Sequence, residues 1–237
     1  MEQDVTYPEW NLKDVAIALA VVFAGSYGLG YILRPFLNQV LSLAQRFLFT
    51  GLLQTLLFLG SVLAIIFFRY KGNLRELGLK DILSASDIKR GITGGLGLFT
   101  LVLLTGIFVS SVAPVQPKLQ PFAELLAQAK TPFEIFVPFF IGGILAPVGE
   151  EIYFRGFAYP VFKKKLGVRG GILATAVFFS LLHFDAVRFL PIFIGGAGLA
   201  WLYESTGSLI TPIIAHSVWN VSMLGLLFLA YKGPSFF

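Results

Sequence analysis

Residues 47–68 read FLFTGLLQTLLFLGSVLAIIFF, and this stretch decides the fold class of the chain. It holds no charged side chain, and at about 1.5 Å per residue a helix over it crosses a hydrocarbon core of about 30 Å. Further apolar blocks occupy residues 15–33, 91–112, 133–162, 171–184, 189–203 and 208–229. The sequence therefore predicts an all-α, polytopic transmembrane bundle of about seven spans, or eight if residues 119–131 hide another.

The composition excludes several classes of protein. Of the 237 residues 56% are hydrophobic and 13% charged, whereas a soluble domain carries about 25% charged residues. The chain contains no cysteine, so a cysteine nucleophile and thiolate metal ligands are excluded. The net charge of +5 comes from basic residues between apolar blocks, which predicts the lipid bilayer as a partner and no nucleic acid.

Basic clusters divide the chain into three predicted parts. Residues 1–70 form N-terminal transmembrane helices, residues 71–90 a basic connector, and residues 91–237 the transmembrane core that carries the site, together one integrated membrane domain. A second cluster spans residues 163–169, and the positive-inside rule places both clusters in the cytoplasm. The expected location is the plasma (inner) membrane of a prokaryote or the endoplasmic reticulum of a eukaryote.

Few ionisable residues lie within the apolar blocks, where each costs about 2.5 to 3.5 kcal/mol on insertion scales and is a functional hypothesis by default. They are Glu150, Glu151, Arg155, His183 and His216, and Asn220 is a strongly polar companion. Residues four apart share a helix face, so Glu151 and Arg155 can form a structural ion pair. Adjacent residues point about 100° apart, which leaves Glu150 to face a cavity.

Two further pairs have the same spacing of four. Phe179 and His183 form one, and His216 and Asn220 the other. A single polar cavity explains these groups best, because burying each separately would require its own set of partners. Such a cavity suits amide hydrolysis: Glu150 as base for water, His183 assisting, and His216 with Asn220 binding the oxyanion.

Other site chemistries stay open on the residues alone. Ser180 lies three residues before His183 and could pair with it as a nucleophile, whereas Ser217 faces away from its neighbour His216. A metal such as zinc could instead bind Glu150, His183 and His216, since one carboxylate and two imidazoles are an accepted catalytic shell. We expect a site without a cofactor, because an amide such as that of Asn220 is a poor zinc ligand and a natural hydrogen-bond donor.

These motifs, E-E-x-x-x-R from Glu150, F-x-x-x-H from Phe179 and H-x-x-x-N from His216, resemble those of the CPBP family. That family comprises CAAX prenyl endopeptidases of the second type and bacteriocin-processing or immunity proteins, also called the ABI intramembrane proteases. Leu-Gly-Leu at residues 77–79 and Tyr-Glu-x-Thr-Gly-Ser at residues 203–208 are similar too. The resemblance covers residues 70–225, in the expected order.

The resemblance implies a helical membrane fold with a conical cavity, and an endopeptidase acting on a membrane-associated, prenylated or other, protein or peptide substrate. It assigns catalysis to Glu150, His183, His216 and Asn220, supported by Glu151, Arg155 and Phe179. The family has been described both as metalloproteases and as glutamate proteases. The alternative function is a non-catalytic transporter or immunity scaffold that uses the same polar cavity for binding.

Overall fold

The computed structural model describes residues 8–79, 84–114 and 120–236, with side chains to residue 231. The beginning of the predicted 1–70 part, residues 80–83 of the connector and residue 119 of the additional predicted span lie outside the described residues. The described ranges are helical and contain no strand. The all-α prediction is therefore confirmed.

Seven helices carry the described part of the chain. They are α1 (Leu12–Val40), α2 (Leu43–Arg69), α3 (Ala85–Val112), α4 (Pro121–Gln128), α5 (Pro132–Leu181), α6 (Phe189–Thr206) and α7 (Ile210–Phe236). A short 3-10 helix, Leu74–Leu77, precedes α3. Helix α3 begins within the predicted connector, because Ser84 caps its first turn and the polar residues that follow continue the helix.

The number of spans is lower than the upper end of the prediction. Five helices are long and apolar enough to cross a membrane: α1, α2, α3, α5 and the stretch Ile210–Tyr231 of α7. Helix α5 joins two predicted spans through Gly167, which has φ 71°. Counting both halves of α5 and also α6 gives at most about seven spans. The prediction of an eighth span is wrong. The eight residues of α4 extend only about 12 Å along the helix axis, which is too short for a hydrocarbon core of about 30 Å.

The two basic clusters lie at the same end of the bundle. Tyr203 donates a hydrogen bond to the carbonyl of Leu77 at 3.2 Å, so the connector packs against the end of α6. The next residue, Glu204, pairs with Lys163 of the second cluster at 2.7 Å. Gly78 takes φ 78° at this contact, and a Cβ there would meet the Tyr203 ring at 2.8 Å.

Helix α1 and the residues just before it form hydrogen bonds with α5 and with the end of α2. Trp10 donates to the carbonyl of Phe157 at 2.8 Å, and Tyr153 donates to the carbonyl of Val15 at 2.9 Å. The buried Asp14 pairs with Arg69 at 2.9 Å and accepts a hydrogen bond from Tyr70 at 2.6 Å, which raises the pKa of Tyr70. The N-terminal helices therefore wall the part of α5 that carries Glu150.

Glycines allow α3 to approach α7. A Cβ on Gly95 would lie 2.6 Å from the carbonyl oxygen of Ala215, which precedes His216, whereas a Cβ on Gly97 would meet nothing within 4 Å. Close backbone approach of this kind is typical of membrane helix packing. We expect Gly95→Val to destabilise the protein by about 1 to 3 kcal/mol. Gly97→Val is the matched control, and equal melting temperatures of the two variants in detergent would contradict this packing.

Candidate active site

Helix α5 is distorted on both sides of its two glutamates. π-helical turns at Ile141–Leu145 and Ile152–Ala158 flank Glu150 and Glu151. In the first turn the N–H of Ala146 bonds to the carbonyl of Ile141 rather than to that of Gly142. Pro147 has no N–H to offer the Gly142 carbonyl. The sequence thus frees one backbone acceptor inside the bundle.

Asn220 satisfies that freed acceptor. Its Nδ2 donates a hydrogen bond to the carbonyl oxygen of Gly142 at 2.8 Å. A buried carbonyl without a partner would cost about 1 to 3 kcal/mol, so Asn220 stabilises the distorted helix. An amide nitrogen carries two N–H groups. One N–H and the carbonyl of Asn220 therefore remain for another role.

Glu151 joins two of the predicted motifs. Its Oε1 accepts hydrogen bonds from Nη1 of Arg155 at 2.6 Å and from Nδ1 of His216 at 2.7 Å. Glu151 and Arg155 are both 0% exposed. The predicted ion pair is present, and it also fixes the imidazole of His216 on α7.

This contact determines what His216 presents to Glu150. A carboxylate paired with a guanidinium only accepts hydrogen bonds, so Nδ1 of His216 carries the hydrogen and Nε2 is left for other partners. Nε2 lies 3.9 Å from Oε2 of Glu150. Glu150 is more exposed than Glu151, at 21% of its side chain. The two adjacent glutamates therefore have different surroundings. Glu151 holds the imidazole of His216 by a hydrogen bond, and Glu150 faces a cavity.

His183 lies in the turn that follows α5. Its Nδ1 is 2.8 Å from the carbonyl oxygen of Phe179, and because that oxygen only accepts, Nδ1 must donate. Nε2 of His183 is therefore the acceptor nitrogen. The helix ends at Leu181, and Phe184, with φ 51°, follows His183 in the turn.

Phe179 packs beside the buried ion pair and against both imidazoles. Its ring centroid lies 4.7 Å from that of His183 and 5.8 Å from that of His216. The guanidinium carbon of Arg155 lies 4.7 Å from the same centroid, and Nη2 of Arg155 donates to the carbonyl of Gly196 at 3.0 Å. Phe179 therefore shields this charged pair and positions both histidines.

Glu150 and His183 face a common cavity of about 150 Å³. The N-terminal helices supply its opposite wall, including Ser26 of α1 and Gln54 of α2. The structure thus brings Glu150 together with His216 and, through the cavity, with His183. Asn220 forms no hydrogen bond with any of the three in the described part of the chain.

The serine and metal alternatives find little geometric support. The hydroxyl of Ser180 donates to the carbonyl of Ala176 at 2.8 Å, and Ser180 is buried, so it is not held against the imidazole of His183. Within residues 8–79, 84–114 and 120–231, no three side chains of the metal-ligating types gather at one point. The set Glu150, His183 and His216 therefore does not form a ready metal shell.

Sequence reasoning missed two hydrogen bonds and one residue that lines the cavity. The Glu151 to His216 bond joins different helices, and nothing in the spacing within either motif reports it. Asn220 bonds to the carbonyl of Gly142 because Pro147 and a π turn leave that carbonyl without a helical partner. The spacing of residues in the sequence does not reveal a π turn. Gln54 could have been found, because it is an amide within an otherwise apolar span.

Comparison with known proteins gives one family match and one relative. Residues 132–222 match the family model "Type II CAAX prenyl endopeptidase Rce1-like". The human protein CAAX prenyl protease 2 is 28% identical over an alignment of 97 residues, which covers 32% of this chain and 30% of the human protein. No solved structure matches the chain.

The matched segment contains every motif residue around the cavity. Glu150, His183, His216 and Asn220 all lie within residues 132–222. Helices α1 and α2, which wall the cavity, lie outside it. The resemblance that the motifs indicated is therefore confirmed for this segment: residues 132–222 of this integral membrane protein are similar to the type II CAAX prenyl endopeptidase Rce1-like family.

Proposed function

We propose that this chain is an intramembrane endopeptidase that hydrolyses a peptide bond of a membrane-associated protein or peptide. The observation that carries the proposal is the convergence on Glu150. Nε2 of His216 lies 3.9 Å from its carboxylate, and His183 faces the same cavity. The Rce1-like match of residues 132–222 supports the same class of reaction.

In the proposed reaction, the carboxylate of Glu150 takes a proton from a water molecule. Nε2 of His183, the acceptor nitrogen, accepts a hydrogen bond from the other O–H of that water and orients it; this hydrogen stays on the water oxygen. The water oxygen attacks the carbonyl carbon of the substrate, and its electron pair forms the new C–O bond. Glu150 then returns the proton to the leaving amine as the C–N bond breaks.

The developing oxyanion needs hydrogen-bond donors. In its imidazolium form, His216 donates from Nε2 while Glu151 holds Nδ1. Asn220 offers the N–H that does not bond to Gly142. Donors held in place by other contacts stabilise an oxyanion without reorganising during the reaction.

Asn220→Ala removes a proposed oxyanion donor and a helix contact together. We expect kcat to fall by about 100-fold to 1,000-fold with little change in KM. Loss of the bond to Gly142 should also destabilise the protein by about 1 to 3 kcal/mol. Ser217→Ala, on the same helix but outside the proposed site, is the control. An Asn220→Ala variant that loses only thermal stability would remove Asn220 from the oxyanion site.

We propose that the site works without a metal, because the described residues do not gather three ligands. A strong chelator should therefore leave the cleavage rate within about twofold of its starting value, whereas metal sites lose activity on chelation. The measurement is the cleavage rate of dialysed protein with and without added zinc. Loss of activity with restoration by zinc would reverse the assignment and make Glu150, His183 and His216 ligands.

The proposed substrate class follows from the wall of the cavity and from the relatives. Leu19, Val22 and Leu182 make part of that wall apolar, which suits a lipid-modified chain. The matched family and the human relative are named for prenyl CAAX substrates. We propose a location in the plasma (inner) membrane if the chain is prokaryotic and in the endoplasmic reticulum if it is eukaryotic.

Mass spectrometry of two peptides tests the substrate class. A farnesylated peptide ending in a CAAX sequence and the same peptide without the farnesyl group are incubated separately with the purified protein. The proposal expects cleavage of the farnesylated peptide at a higher kcat/KM. Equal cleavage of both peptides would reject prenyl recognition while leaving the endopeptidase proposal intact.

A further inference from the structure

Gln54 is a polar side chain that the N-terminal helices contribute to the cavity. It lies on α2, outside residues 132–222, in an apolar stretch with no charged residue between positions 47 and 68. Its carboxamide makes no hydrogen bond with any residue that the structure describes. An unused amide in a membrane span is costly unless it meets water or a ligand.

Two cavities include both Gln54 and Glu150 in their walls. The larger, of about 150 Å³, contains His183 in its wall. The smaller, of about 20 Å³, lies between α2 and the first π turn of α5 and includes Thr55. Gln54, Phe58 and Glu150 line both cavities, so Gln54 and Glu150 are the polar side chains that the two walls share.

The size and chemistry of the larger cavity suit a bound water molecule. A cavity holds a water when it offers about 10 to 15 Å³ or more and two to four polar partners. The larger cavity meets the volume requirement, and Glu150, Gln54 and His183 are polar groups in its wall. A carboxamide can donate to a water at the same time as a carboxylate accepts from it.

We propose that Gln54 is a positioning residue that holds the hydrolytic water against Glu150. The proposal rests on the endopeptidase function above. The water donates its two hydrogens to Glu150 and to Nε2 of His183, and it accepts one hydrogen bond from the carboxamide of Gln54. These three contacts leave one lone pair of the tetrahedral water directed at the substrate carbonyl. Gln54 itself gains and loses no proton.

Water positioning and substrate binding predict different kinetics. A residue that orients the attacking water lowers kcat when it is removed and leaves KM near its original value. A residue that binds the substrate main chain equally in both states raises KM instead. Misplacing a reacting group by about 1 Å can cost about 100-fold in rate.

The test replaces Gln54 with Met, which keeps the length and removes hydrogen bonding. Gln54→Met should lower kcat by about 10-fold to 100-fold, with KM and the melting temperature within error of the parent. Gln54→Asn, which keeps the amide, should retain more activity than Gln54→Met. Gln54 and Gln39 are both exposed, but Gln39 of α1 lines neither cavity, so Gln39→Met makes the same chemical change away from Glu150 and should leave kcat unchanged.

Three outcomes would overturn the inference. An unchanged kcat in Gln54→Met, or a change in KM alone, rejects water positioning while the parent's cleavage upholds the proposed function. If Gln54→Met does not fold, Gln54→Leu removes the same hydrogen bonding, and an unchanged kcat in Gln54→Leu rejects water positioning in the same way. A parent protein that cleaves no peptide overturns both the function and this inference.

Discussion

Replacing Glu150 with Gln is expected to lower kcat by about 100-fold to 10,000-fold, the range typical of losing a general base. The carboxamide keeps the size and hydrogen bonding of the side chain but cannot take a proton from water. Glu150 is partly exposed to the cavity and is not the glutamate that holds Arg155. We therefore expect Glu150→Gln to fold and to bind substrate like the parent, as measured by melting temperature and KM.

Glu124→Gln is the matched control for this change. Glu124 lies on the short helix α4 and is exposed, so its kcat should equal that of the parent. If Glu150→Gln instead retains near-normal cleavage of a verified substrate, Glu150 is not the base. Glu151 or a serine would then have to supply the chemistry.

Arg155→Ala is expected to destabilise the protein by about 3 to 5 kcal/mol, because it removes one partner of a fully buried ion pair. The carboxyl group of Glu151 would be left at 0% exposure without its guanidinium partner, and the carbonyl of Gly196 would lose its bond to Nη2. The effect should reach catalysis too, since Glu151 fixes Nδ1 of His216. Folded yield and melting temperature in detergent, followed by the cleavage rate, measure both effects.

Arg34→Ala serves as the control, because Arg34 is exposed on α1. It should match the parent in yield and in melting temperature. An Arg155→Ala variant that is as stable as the parent yet inactive would contradict a structural role. Arg155 would then belong to substrate recognition.

The sequence predicts the helices of this fold better than their number of crossings. Apolar blocks report where a helix is buried in lipid, and all the predicted blocks are helical in the described residues. They do not show whether the polar residues between two blocks form a loop that separates two spans or continue one helix. The basic residues around Gly167 suggest a loop, whereas the helix resumes after this single left-handed residue.

The motifs locate the site, but they leave out the bonds between helices. Spacing by four places Glu151 beside Arg155, and this ion pair is present. Spacing within one helix says nothing of a partner on another, so the bond from Glu151 to His216 could not be predicted. For the same reason, the bond from Asn220 to the carbonyl of Gly142, which Pro147 leaves without a helical donor, could not be predicted.

The contribution of the N-terminal helices was the least predictable. Residues 1–70 match no motif, and the family match begins at residue 132. Only the packing of α1 and α2 against α5, through contacts such as Tyr153 to Val15, brings Gln54 to the cavity. A polar residue in an apolar span is a signal of function, but its partner depends on the tertiary structure.

The most direct measurement is the mass of the products formed from a membrane-anchored farnesylated peptide by the purified parent and by Glu150→Gln. The proposed function predicts that the parent yields two fragments whose masses sum to that of the peptide plus one water. Glu150→Gln should yield neither fragment over the same time. An intact peptide with the parent, or equal fragment yields from both proteins, would contradict hydrolysis at Glu150. The intact peptide, retained in a stable complex, would instead indicate a non-catalytic binding protein.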